Sequence, residues 1–151
     1  MKYFFSFIFL ILFTIGVSAQ TDTKKIEYST TTSKAIKSSP AYSALILKRT
    51  LIKADLEEML VTYTEDFPKV VDARHEIDLL NFELSRLLET KVTDSCKLSD
   101  SLGQLMLKKM EIEMELWNLK KKYKDDHPEV TRAKRKLNTF EKGIVEVLPS
   151  R

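Results

Sequence analysis

Hydrophobic residues fall into four ladders along this chain, each stepping alternately by three and four positions. The first holds Leu45, Ile52, Leu56, Met59 and Tyr63, with Arg49 interrupting it; the third holds Leu105, Ile112, Leu116, Leu119 and Tyr123, with Lys109 at the matching position. The second runs cleanly through Val70, Ala73, Ile77, Leu80, Leu84 and Leu87, and the fourth through Val130, Ala133, Leu137, Phe140, Ile144 and Val147. An apolar period of 3.5 residues predicts helices that pack along a seam, whereas strands would alternate with a period of two. The chain is therefore predicted to be all-α.

The ladders are related in pairs. With a constant offset of sixty and no gap, residues 39–91 align with 99–151, and twelve positions are identical: Ser39, Leu45, Leu47, Lys48, Ile52, Leu56, Tyr63, Asp66, Pro68, Val70, Ala73 and Leu88 each recur sixty residues on. Most are apolar or turn-forming, so a packing unit has been duplicated. Each unit reads as an antiparallel helical hairpin whose tip is the phrase YTEDFPKVVDA at 63–73 or YKDDHPEVTRA at 123–133. Proline lacks an amide proton and disfavours helical geometry in the residue before it, so Pro68 and Pro128 are predicted to open the second arm of each hairpin. Asp66 and Asp126 are expected to accept from the free amides at that helix start, and Tyr63 and Tyr123 to close the first arm's seam. Ser39 before Pro40, and Ser99 before Asp100, read as caps of the first arms. Two tandem coiled-coil hairpins joined by short turns predict a four-helix bundle, because a second hairpin doubles the seam that one alone can bury.

Outside the hairpins, residues 1–19 place Lys2 ahead of an apolar run that ends in Val17-Ser18-Ala19, the pattern of a secretory signal peptide cleaved after Ala19. The run is shorter than the roughly 20 apolar residues needed to span a bilayer. Residues 20–38 hold many Ser and Thr and no sustained periodicity, so they are expected to form a flexible lead, and the polar segment 92–98 a connector between hairpins. Removing the signal peptide would leave 24 Lys and Arg against 22 Asp and Glu, a net charge of +2, which gives no reason to expect nucleic-acid binding. Cys96 is the only cysteine, so the chain relies on apolar packing rather than an internal disulfide; an exposed thiol there could cross-link two chains or be incidental.

The stretch Tyr-x-x-Asp-His-Pro-Glu-Val at 123–130 resembles the Tyr-x-x-x-His-Pro-x-Val tip of the periplasmic coiled-coil arms of bacterial polysaccharide chain-length determinants and related export co-polymerases. The likeness covers about eleven residues per copy, and the first copy has Phe67 where that family usually has His. Such proteins generally carry flanking transmembrane helices and sometimes a cytoplasmic kinase domain. No C-terminal apolar span and no Gly-rich phosphate loop occur in these 151 residues. The resemblance implies a shared hairpin architecture and an envelope address.

Catalytic and metal-binding patterns are not found. His75 and His127 are the only histidines, and neither stands at metal-ligand spacing or beside a nucleophile in a strained turn. No cofactor is expected, and the chain reads as a non-enzyme. Charge is more informative. Residues 39–91 carry seven basic and ten acidic side chains, while 99–151 carry twelve and nine. The contrast sharpens at the tips, where Lys120, Lys121, Lys122, Lys124, Arg132, Lys134, Arg135 and Lys136 form a candidate patch for an anionic partner such as a glycan or a membrane surface. Opposite charges also suggest that the hairpins face one another, with Glu57, Glu58, Asp72 and Glu76 meeting Lys121, Lys122, Arg132 and Arg135.

The leading expectation is thus a periplasmic or secreted, non-enzymatic interaction scaffold of the bacterial cell envelope, linked to polysaccharide export or surface assembly, with a protein partner or self-association. The alternative is a periplasmic holdase-type chaperone that offers Leu47, Leu51, Leu60, Leu107 and Trp117 to unfolded clients.

Overall fold

A computed structural model describes residues 33–90 and 95–148. The signal peptide and most of the predicted lead lie outside the described residues. Four long helices carry the fold: α1 (Pro40–Thr62), α2 (Pro68–Glu89), α3 (Asp100–Lys120) and α4 (Pro128–Val147). No described residue is in a strand. The predicted starts are reproduced almost to the residue. Ser39 and Ser99 cap α1 and α3, their hydroxyls accepting from the Tyr42 and Leu102 amides at 3.3 Å in both cases. Pro68 and Pro128 open α2 and α4.

Two features of the connections differ from the sequence reading. Residues 33–37, expected to be flexible lead, form a helical turn that seats Ile36 fully inside the core. In the connector, residues Ser95–Lys97 form a 3-10 turn, after which Leu98 is buried and its carbonyl accepts the Ala41 amide at 3.3 Å. Both segments are short, and each contributes one aliphatic side chain to the base of the bundle. Fully burying such a side chain stabilises by about 1.5–3 kcal/mol, enough to order a few residues.

The arrangement of helices follows from which faces are apolar. All six ladder positions of α2 are buried: Val70, Ala73, Ile77, Leu80, Leu84 and Leu87. Helix α3 has two buried faces. Lys109 and Ile112 belong to its ladder, whereas Leu102, Met106 and Met110 lie on a second stripe that joins the core shared with hairpin 1. Helix α3 packs closely along α1, touches α2 more sparsely through long side chains, and carries α4 on its other side. In α4 only Val130, Ala133 and Ile144 are buried, and Ile144 alone of these belongs to the common core. The bundle is therefore three helices with the fourth appended, because the remaining surface of α4 is charged.

Gly103 sets the closest approach. A side chain there would meet the Ala41 Cα and the Ala44 Cβ, each at 3.1 Å, so the starts of α1 and α3 touch nearly backbone to backbone. Contacts between α2 and α3 pair Asp72 with Lys121, His75 with Trp117 and Glu83 with Lys109, which fixes them as antiparallel. Since α1 is antiparallel to α2, α1 and α3 run the same way, and both hairpin tips lie at one end.

Candidate functional site

At that end the two tips repeat each other's bonds sixty residues apart. The Tyr63 and Tyr123 amides close the preceding helices onto the Met59 and Leu119 carbonyls at 2.8 and 2.9 Å. The Phe67 and His127 amides donate to the Thr64 and Lys124 carbonyls, at 3.0 and 3.1 Å, and the chain then enters the next helix. Proline holds Phe67 and His127 extended, at ψ 131 and 138 degrees. That geometry lays each residue back over the tyrosine four positions earlier. Tyr63 stacks on Phe67 with ring centroids 4.1 Å apart, and Tyr123 stacks on His127 at 4.0 Å. The tyrosines therefore do not close a buried seam as expected; they are exposed and pin the turn from outside.

The capping expectation for Asp66 and Asp126 is also corrected. The cap positions fall one residue later. His127 accepts the Glu129 amide through Nδ1 at 3.3 Å, and the Phe67 side chain makes no capping bond. A ring that stacks on tyrosine and accepts from the helix explains why histidine suits the position before Pro128, and why Phe67 supplies only the stacking half.

The basic residues around the second tip are all exposed. Lys120 and Lys134 converge on Asp125, at 3.6 and 3.1 Å. The Lys134 ammonium first, and Lys120 with it, holds the Asp125 carboxyl below the ordinary carboxylate range. Arg132 pairs with Glu129 and Lys136 with Glu115. Among the described residues, Lys122, Lys124 and Arg135 have no acidic partner. The patch thus keeps unspent positive charge beside an exposed aromatic pair.

Where the hairpins meet, the predicted charge pairing is realised at one contact only. Lys121 pairs with Asp72, and its ammonium stands 4.9 Å from the Trp117 ring centre. Trp117 donates to Asp72 at 3.4 Å and stacks on His75, so four side chains from α2 and α3 lock together. Glu76 is held instead by Lys48 within hairpin 1. Arg132 and Arg135 ride on α4, which packs away from hairpin 1.

Deeper in the same seam lies a contact that the ladders did not predict. Lys109 is buried and donates to Glu83 at 2.7 Å and to Glu113 at 2.6 Å, while Arg86 reaches the Glu83 carboxylate at 3.2 Å. Burial opposes the Lys109 charge, but hydrogen bonds to Glu113 and Glu83 outweigh it and raise its pKa above the ordinary 10.5. Side-chain exposures of 3% for Lys109 and 1% for Glu83 make this a core ion pair rather than a surface one. In the duplicate positions stand Arg49, hydrogen-bonded to Asn81 at the surface, and Gly143. Only α3 against α2 can bring this lysine to this glutamate.

Among the described residues no cluster of His, Cys, Asp and Glu is arranged to hold a metal ion, and no helix is long and apolar enough to cross a membrane. Cys96 is exposed in the 3-10 turn at the opposite end from the tips. Compared with known proteins, the chain matches no family model, no curated protein and no solved structure.

Proposed function

We propose that this chain is an exported, non-enzymatic scaffold of the bacterial cell envelope that engages its partner through the paired hairpin tips, in the setting of polysaccharide export or surface assembly. The observation that carries the proposal is the twin tip: two turns of the same bonding pattern, set at one end, each bearing an exposed tyrosine stacked on the residue before proline. The apolar run of residues 1–19 supports export, and the likeness of 123–130 to co-polymerase arms supports the envelope address. The second tip adds positive charge in Lys122, Lys124 and Arg135, suited to an anionic glycan or to an acidic protein surface.

The test has two parts. Expressed with its leader in a Gram-negative host, the chain should be recovered from the periplasm with Gln20 as its first residue, by intact mass; retention of residues 1–19 in the cytoplasm would refute the address. Cross-linking at the tips should then capture envelope-assembly or export components. Those contacts should weaken when Lys122, Lys124 and Arg135 are all changed to Glu.

A holdase reading draws on Leu47 and Leu51, which are exposed on α1. It is weakened by Trp117, whose ring is engaged by His75, Asp72 and Lys121 and is not offered to a client. Suppression of client aggregation at equimolar amounts would revive it.

A further inference from the structure

Helix α1 carries a second heptad ladder, on the side away from the core. Leu47, Leu51, Ala54, Glu58 and Val61 step 4-3-4-3. Leu47, Leu51 and Val61 are 62%, 55% and 87% exposed, so neither α2 nor α3 covers the stripe from Leu47 to Val61, whereas Ala44, one turn earlier, abuts Gly103 of α3. Soluble chains scatter single apolar residues over their surfaces, but a strict 3.5-residue spacing over about four turns specifies another helix as the complement. The outward side of α4 is different, bearing Arg132, Arg135, Lys136 and Lys142 with a lone apolar Val145.

We propose that the α1 stripe is the interface of a homodimer, in which α1 packs antiparallel against α1 of a second copy. The sequence of the stripe is self-complementary in that direction. With residues paired so that their numbers sum to 105, Leu51 lies against the partner's Ala54 and Ala54 against the partner's Leu51, a large side chain facing a small one in both central layers. Leu47 lies over the aliphatic stem of the partner's Glu58, whose carboxylate reaches outward. One flank matches as well, since Lys48, which holds Glu76 in its own chain, also faces the partner's Asp55 and lies within reach of the partner's Glu58. Side by side in parallel, Glu58 would face the partner's Glu58 within the seam, which like-charge repulsion disfavours, and Lys48 would lie beside an uncharged serine. A two-fold axis passing between residues 52 and 53 makes the contact isologous, so it closes at two copies and does not propagate. The interface uses none of the tip residues, although Val61 adjoins the first tip, and it does not depend on the envelope reading; either can fail without the other.

The experiment is sedimentation velocity and light scattering on the whole chain with Cys96→Ser, which removes any disulfide-linked species, up to about 0.2 mM. A reversible dimer is expected. Leu51→Glu puts a charge at each central layer and should raise the dissociation constant by on the order of a hundredfold, with helicity and the melting of the dilute monomer unchanged because Leu51 is already exposed in the monomer. Asp55→Lys sets a lysine against Lys48 at both contacts of that flank and should weaken the dimer by about tenfold, which a parallel or unrelated interface would not show. A chain that remains monomeric at the highest concentration, or a dimer indifferent to Leu51→Glu, overturns the proposal; indifference to Asp55→Lys alone overturns the antiparallel register.

Discussion

The two hairpins descend from one unit yet play unequal parts. Hairpin 1 buries every ladder position of its second arm, whereas hairpin 2 buries three of six and keeps the rest half exposed. Hairpin 1 is a receiving surface, with α1 and α2 forming a groove into which one face of α3 fits. Hairpin 2 is the insert, and α4 follows it as an outer brace. The difference teaches that duplication alone would permit either hairpin to pair with its own kind. What distinguishes them is a few substitutions along the seam: Gly103 for Ser43, Lys109 for Arg49, and Glu83 where the second copy has Gly143. These let α3 approach α1 closely and place its lysine on a buried acid that hairpin 2 lacks.

The largest expected effect breaks this asymmetry at its charged centre. Lys109→Met leaves Glu83 buried beside only the partly exposed Arg86, and removing one partner of a buried pair typically costs about 3–5 kcal/mol. Arg49→Met, its duplicate at the surface, should cost no more than about 0.5 kcal/mol. Urea unfolding of both variants checks the contrast. Equal losses would show that Lys109 is not the discriminating residue. The double variant Lys109→Met with Glu83→Leu should recover most of the stability, because an apolar pair can replace a buried ionic one.

The glycines give a contrast of opposite sign. Gly103→Ala drives a Cβ against backbone and a neighbouring Cβ of α1, and overpacking of this kind costs about 1–3 kcal/mol. Gly143→Ala meets nothing within 4 Å in a helix interior and should stabilise by about 0.5–1 kcal/mol. Thermal melts of the two variants should move in opposite directions. At the tips the hairpins should instead behave alike: Tyr63→Ala and Tyr123→Ala each lose one aromatic stack, worth about 0.5–1.5 kcal/mol. A much larger loss at either tip would show that tyrosine does more there than pin the turn.

The smallest effect is with pH. Because the folded-state pKa of Lys109 is raised, its contribution is complete below the ordinary lysine value of 10.5 and is lost as pH rises through the higher folded value. The urea midpoint of the parent should fall more steeply above about pH 10.5 than that of the Lys109→Met, Glu83→Leu double variant. Parallel curves would remove Lys109 as the cause.

Hairpin architecture was legible because it is written locally. The 3-4 ladders, the serine caps and the two prolines each act within a turn or two, and α1 to α4 begin where those signals stand. What the ladders concealed is long-range. Lys109 reads as an interruption of one seam, equivalent to Arg49, until α2 brings Glu83 beside it. The second stripe of α3, through Leu102, Met106 and Met110, was present in the sequence, but reading a single best ladder per helix passes over it. Ile36 and Leu98 are isolated aliphatic residues in polar segments, and only the closed base of the bundle gives them a place. At the tips, the stacking of Tyr123 on His127 was hidden because sequence spacing shows the four-residue interval but not the turn that folds one ring over the other.

The common direction of α1 and α3 also decides how the bundle would respond to load. The start of α1, the joint near Leu98 and the end of α4 all lie at the base, about 30 Å from the tips for helices of this length. Tension between residues 40 and 147 therefore acts across the helix axes and peels the base open layer by layer, so each contact is strained in turn. A pull between a tip and the base acts along the axes and must slide whole seams at once, against the Lys109–Glu83 pair and the Gly103 contact together. The molecule should be soft to spreading of its base and stiff along its length, the mechanical character of a two-pronged spacer.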